Sequence, residues 1–444
     1  MAAYLLFEVM VMLLSRLNDV VWSPWLLGLF LAAGLYYSLR TGFFQLFRIP
    51  LWLRTTFGAM LRRRGRGNGR GISQFQALAT ALASTIGTGS IAGVATAIWF
   101  GGPGAVFWMW VSALLGMMTG CAEKLLSVRY RRAGPAGWLG GPMYYIRDGL
   151  KSPLLAGWFA LACLPATLTG GDMVQSSSIA AALQATFGWD RLAVGAAVAV
   201  LTGLVMVGGI GRIARVSSGL VPAMALLYLG GGAAVLAARA DQIPEAMALI
   251  FCSALRPEAA VGGGMGYTLA AALRYGVARG VFTNEAGLGT SAMAHAAAEV
   301  DCPARQGMWG IVEVCVSTLL VCTATALVIL VSGVYGPADA LVRGALGAVP
   351  PDRLGAPLTA AAFSSVLGPW GGAVVSLSLL LFAFSSILGW SWYGEQSILY
   401  LTGSRRLVPA YRLVFLSCVV LGSVWEGEAV WELVDLCNAL MAIP

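Results

Sequence analysis

The chain of 444 residues is 58% hydrophobic and only 11% charged, with a formal net charge of +8 and a mean hydropathy of +0.79. That balance excludes an ordinary soluble domain, in which about 25% of residues are charged. Several apolar segments reach the roughly 20 residues that cross a hydrocarbon core as a helix, and no period-two alternation suggests a membrane barrel, so the expected class is an all-α polytopic membrane protein.

In chain order, the first fourteen residues are apolar but lack a basic leader and a small-residue cleavage signal, and read as a short interfacial helix rather than a signal peptide. Eleven spans are predicted after them, at 20–39, 72–100, 102–126, 155–183, 190–209, 215–238, 262–298, 306–333, 368–400, 409–425 and 427–444. The basic run "RRRGRGNGR" at 62–70 lies beside a membrane helix, where contact with anionic lipid is expected rather than with nucleic acid. With the amino terminus outside and the carboxyl end cytoplasmic, twenty Lys and Arg fall on the inner side, Lys124 among them. Six fall outside: Arg16, Arg191, Arg239, Arg256, Arg343 and Arg353. The positive-inside rule favours that orientation. The eight cysteines show no metal-binding spacing and read as small core residues. The single histidine, His295, excludes a multi-histidine metal site, and the absence of GxSxG and HExxH argues against an enzyme.

The second span carries "STIGTGSIAG" at 84–93, where Gly87, Gly89 and Gly93 weaken a helix and Thr85, Thr88 and Ser90 bring hydroxyls. A second interrupted segment, "YGVARGVFTNEAGLGTSAMAHAAAE", holds Gly276, Gly280, Gly287 and Gly289 with Asn284 and Glu285. The segment at 72 enters from inside and that at 262 from outside, so 72–238 and 262–444 are expected to be inverted five-helix repeats. Residues 1–71 then form an amino-terminal helix and basic loop, and 239–261 an extracytoplasmic connection. Interrupted segments at matching places in two halves point to a transporter's binding site. Freed carbonyls suit a small cation, and half-helix amino ends suit a carboxylate. The alternative is that these glycines only let helices pack closely.

The blocks "GISQFQALATALASTIGTGSIAGVATAIWFGGPGAVFWMWVSALLGM", "GGPMYYIRDG", "RGVFTNEAGLGTSAMAHAAAEVDCPARQG" and "FAFSSILGWSWYGEQ" resemble the hallmark blocks of the alanine/glycine:cation symporter family, from about residue 22 to the carboxyl end. The resemblance implies the leucine-transporter-like fold of the amino-acid, polyamine and organocation superfamily, with ten core helices in two inverted halves and one further amino-terminal helix. It also implies a bacterial-type plasma membrane and uptake of alanine or glycine driven by Na+, less often H+, with no other cofactor.

Carried over by residue, the resemblance puts the substrate on the backbone of Gly87, Thr88, Gly89 and Ser90, with Gln175 of the third core helix hydrogen-bonding it and Ser386 and Trp390 of the eighth lining the pocket. It puts Na+ between the carbonyls of Ala83 and Ile86 and the hydroxyls of Ser385 and Ser386. Read without the resemblance, a serine in a membrane helix bonds its own i−4 carbonyl and a lone tryptophan packs.

Asp172 stands where the family pattern has Asn. It would meet a substrate ammonium, take a proton, pair with Arg274 or Arg279, or lie near the outer surface. Glu285 is expected to brace the second break, with Glu123, Glu313 and Asp435 as gate or packing residues and His295 as a structural one. Ser90 replaces the family's Asn after "GTG", and the chain stops at "NALMAIP", so the last span is expected to be short. The function expected is Na+-coupled symport of a small neutral amino acid by alternating access. The alternative is a proton-coupled carrier or one of altered specificity. A channel is disfavoured because it needs a continuous polar pore.

Overall fold

The computed structural model describes residues 13–14, 16–18, 20–62, 71–134, 137–255, 269–335, 355–425 and 428–444. Most of the expected amino-terminal interfacial helix, the basic run from 63 on, Arg256, Arg343, Arg353 and the first residues of the span at 262 lie outside them.

The helices are α1 (Pro24–Arg40), α2 (Phe44–Phe47), α3 (Ile49–Arg62), α4 (Gln74–Thr85), α5 (Val94–Gly101), α6 (Gly104–Arg129), α7 (Pro142–Asp148), α8 (Pro153–Leu168), α9 (Val174–Phe187), α10 (Arg191–Met206), α11 (Gly209–Ala238) and α12 (Ile243–Leu255). They continue with α13 (Leu269–Asn284), α14 (Ala292–Ala296), α15 (Pro303–Val314), α16 (Thr323–Val331), α17 (Ala356–Leu367), α18 (Pro369–Thr402), α19 (Val408–Val424) and α20 (Glu428–Ala442). Wider π-helical turns at Gly89–Gly93, Thr169–Met173 and Cys315–Cys322 lead into α5, α9 and α16. One small hairpin departs from the all-helical expectation: β1 (Arg132–Gly134) pairs antiparallel with β2 (Gly137–Leu139).

Among the described residues six helical runs are long and apolar enough to cross a membrane, seven when α4 and α5 count as one bent span. α10, α17, Trp25–Arg40 of α1 and Leu433–Ala442 of α20 are apolar but shorter. Large apolar side chains such as Leu154, Leu226 and Trp370 stand on the outer surface, which suits hydrocarbon rather than water.

Inside, helices approach through small residues. A side chain at Gly276 would run into the Ala105 carbonyl and one at Gly280 into the Ser112 hydroxyl, so these two glycines seat α13 on α6. They were expected to belong to the second break. The structure corrects this, because α13 is continuous to Asn284 and the break lies beyond it. α15 meets α6 the same way, with Gly310 against the Gly120 backbone. α1 lies on this group, Gly34 against Leu115 and Phe30 against Gly287.

Candidate functional site

α4 starts on a capping box, in which the Ser73 hydroxyl accepts the Gln76 N–H at 3.1 Å and the Gln76 side chain accepts the Ser73 N–H at 3.0 Å. It stops at Ile86, whose N–H still reaches the Leu82 carbonyl. The chain resumes as a helix at a 53° angle. Between the two halves, Gly87 is pinned by the groups around it: a Cβ there would stand 2.5 Å from Ser386 Oγ and 3.1 Å from Gln175 Oε1. The first break, α9 and α18 therefore converge on one glycine.

The expected cation residues gather at the end of α4. The Ala83 carbonyl accepts from Ser385 Oγ at 3.1 Å and from Ser386 Oγ at 3.0 Å, and Ser386 also reaches the Ser84 carbonyl at 3.2 Å. Ser385 keeps a bond of 2.9 Å to the Phe382 carbonyl, so the ordinary serine habit and the inter-helix contact coexist. Ile86 is buried at the helix cap of the same break. On the other flank, Gln175 Oε1 accepts the Thr88 N–H at 3.3 Å while its amide donates to the Gly170 carbonyl at 3.1 Å. The Thr88 and Ser90 hydroxyls are buried without a hydrogen-bond partner among the described residues. Gly89 faces Phe282 and Thr283 of α13. Trp390 packs on Gly171 and sits edge-on to Tyr393, with ring centroids 5.6 Å apart.

The second break follows Asn284. Glu285 takes a left-handed φ of 53°, and Gly287 and Gly289 follow at 101° and 71°. Such angles exclude most side chains and keep the segment from continuing as a helix. The Glu285 side chain accepts the Thr290 hydroxyl across the break. Glu123 Oε1 accepts the freed amides of Gly287 at 2.8 Å and Gly289 at 3.0 Å. Lys124 was expected at the inner surface; instead it is fully buried, with Nζ 3.5 Å from Glu123 and 3.4 Å from Glu313. His295 bonds Glu313 at 3.1 Å and Gln306 at 2.6 Å. The two interrupted segments are tied at one end, where Ile72 N–H donates to the Ala297 carbonyl and Glu299 N–H to the Ile72 carbonyl.

Asp172 is completely buried and both its oxygens lack a hydrogen-bond partner among the described residues. Among the described residues no ion pair joins Asp172 to Arg274 or Arg279, and Arg279 reaches Asp435 of α20 at 3.4 Å.

Known proteins decide what such a site belongs to. The profile of the sodium:alanine symporter family matches residues 7–444. The chain belongs to that family. It is a membrane transporter and not an enzyme. The sodium/alanine symporter AgcS of Methanococcus maripaludis is 40% identical to it over 98% of this chain and 93% of the relative. A Bacillus subtilis relative named "probable sodium/glutamine symporter GlnT" is 36% identical over 96% of this chain and 85% of its own length. In fold, the chain is similar to a manganese transporter mutant of Eremococcus coleocola, with a TM-score of 0.52 at 18% identity over 84% of this chain and 77% of the other.

Within this member of the sodium:alanine symporter family, the sequence missed residues that work through distant partners. Tyr393 donates to Ser84 Oγ at 2.9 Å, one turn beyond Trp390. Thr325 donates to the Ser90 carbonyl at 2.9 Å and Thr359 to the Ile91 carbonyl at 3.1 Å, so groups freed by the first π-turn are met from α16 and α17. Hydroxyls in apolar runs were the available signal, but nothing local says which of them reach across. Gln175→Ala is expected to raise the KM for the transported substrate about tenfold, because it strips a partner from a buried amide at a cost of about 1–3 kcal/mol. The dependence on the coupling cation should stay near that of the parent. Substrate and cation titrations of uptake separate the two.

Proposed function

We propose that this protein is a Na+-coupled symporter that takes up a small neutral amino acid, alanine or glycine, by alternating access. The observation that carries the reading is the convergence on Gly87. Ser386, which clasps the end of α4, and Gln175, which holds the loop amide, both crowd the Cβ position of that one residue, which supports contiguous cation and substrate sites. Contiguity is what coupling needs, since each ligand then changes the state that the other meets.

Na+ takes the carbonyl oxygens of Ala83 and Ile86 and the hydroxyls of Ser385 and Ser386, which turn their lone pairs from the α4 carbonyls to the ion. The amino acid docks on the Gly87–Ser90 backbone, with the Thr88 and Ser90 hydroxyls and Gln175 as further partners and Trp390 limiting side-chain size. The eleven-span plan, five plus five inverted about the two breaks with α1 outside them, and an external amino terminus belong to the same reading.

The name of the Methanococcus maripaludis relative supports alanine and Na+, whereas the Bacillus subtilis relative is named a probable sodium/glutamine symporter. One observation favours a second reading, a proton-coupled or altered-specificity carrier: Asp172 is a buried carboxyl without a hydrogen-bond partner among the described residues, three residues before Gln175.

Radiolabelled alanine uptake into proteoliposomes tests the proposal. Accumulation driven by a Na+ gradient and blocked by glycine but not leucine supports it. Uptake driven by a pH gradient alone, with no response to Na+, overturns it in favour of the second reading. Ser386→Ala is expected to raise the Na+ concentration for half-maximal uptake about tenfold, equivalent to about 1.4 kcal/mol. An unchanged Na+ titration removes Ser386 from the cation site.

A further inference from the structure

The second break encloses more negative than positive charge. Glu123, Glu285 and Glu313 carry three carboxylates, all buried, and Lys124 supplies one ammonium. Even a protonated His295 leaves one carboxylate in excess. A carboxylate buried without a compensating charge is costly enough that the group takes a proton instead. Among the described residues the remaining ionisable groups within electrostatic reach do not restore the balance: Tyr393 from α18, Tyr145 from α7, Tyr37 from α1, and Cys121 and Cys163 from α6 and α8 carry no positive charge in any protonation state.

The partners decide which carboxyl carries the proton. Glu123 accepts two backbone amides and faces Lys124, and Glu313 faces both Lys124 and His295. Glu285 has no cation at ion-pair distance among the described residues, only the hydroxyl of Thr290.

We propose that Glu285 is a proton-binding site: in the buried arrangement seen here it is a neutral carboxylic acid at neutral pH, its side chain bridging the second break to Thr290. The step is a simple proton exchange with water. The acid loses H+ to solvent when the break opens, and the carboxylate regains it on closing. This inference goes beyond the Na+ and amino-acid sites, and only its transport arm rests on that reading.

Infrared spectroscopy of the purified full-length protein tests the site without any substrate. Protein grown with glutamate 13C-labelled at the side-chain carboxyl is compared with unlabelled protein at neutral pH. The expected result is a protonated-carboxyl C=O band that the label moves to lower frequency and that Glu285→Gln removes. Asp172 and Asp435 keep their positions in that comparison because aspartate is unlabelled. Absence of any label-shifted band in the parent protein overturns the proposal by itself, whether or not the variant folds. A label-shifted band that survives in Glu285→Gln overturns it too, by placing the proton on another carboxyl.

In proteoliposomes, Na+-driven alanine uptake by the parent protein should fall as pH rises, and Glu285→Gln should flatten that profile. Absence of uptake at every pH, with the infrared band present, supports the proton site and counts against the alanine and Na+ reading alone.

Discussion

Gly87→Ala is expected to abolish uptake in a protein that still folds. The new methyl carbon would stand 2.5 Å from Ser386 Oγ and 3.1 Å from Gln175 Oε1, closer than side chains tolerate. Inserting a methyl group into a packed interior costs about 1–3 kcal/mol. That is survivable for a bundle of this size. Function is hit harder, because the two side chains forced aside are those assigned to cation and substrate. We expect a loss of at least about a hundredfold in uptake, the upper end of that cost expressed as a rate.

Gly93→Ala is the matched control. It lies in the same run of sequence, yet the nearest atom a Cβ would meet, Arg279 Cδ, is 4.0 Å away. Uptake close to that of the parent is expected. Measuring both variants at equal amounts of monodisperse protein decides the matter: equal loss in the two would mean that helix propensity, rather than close approach at Gly87, sets the requirement for glycine.

The largest effect on stability is expected at Lys124. Its ammonium is fully buried between Glu123 and Glu313, 190 residues apart in sequence. Removing one member of a buried ion pair leaves the others uncompensated and typically costs about 3–5 kcal/mol. Lys124→Met keeps the volume and removes the charge, so it isolates that term. A fall of several degrees in the unfolding midpoint in detergent, with reduced yield, is the expected outcome. Combining it with Glu313→Gln should recover a large part of the loss, since a pair replaced as a whole leaves less charge unmatched. A midpoint unchanged in Lys124→Met would show that the ammonium carries no structural charge balance.

How far the sequence could be read follows from the range over which each signal acts. The first break was legible because four small and polar residues interrupt an apolar run, a local contradiction that holds wherever the partners lie. The serine pair and Gln175 were reached through the family resemblance, and the structure brings Ser386 and Gln175 to Gly87. Lys124 was misplaced because a charge at the end of an apolar run has two physical solutions, the aqueous surface or a buried counter-ion. Choosing between them requires Glu313, which only tertiary packing brings near. Gly276 and Gly280 were assigned to the second break for a similar reason. A glycine that frees the backbone and one that admits a neighbouring helix have the same letter. The structure separates them by what a Cβ would strike, the Ala105 carbonyl and the Ser112 hydroxyl in these two cases. The π-turns had no visible signature, since one added residue per turn leaves composition unaltered.

The contact of Phe30 with Gly287 links the second break to a helix that is exposed along much of its length. If Glu285 to Ser291 moves, either α1 follows or a gap opens beneath the phenyl ring. In the first case the outer face of α1, with Leu29, Tyr36 and Leu39 exposed, must slide against the surrounding acyl chains. Chain length and lateral pressure in the host bilayer then enter the energetics of a movement at the centre of the protein, through one ring resting on one glycine.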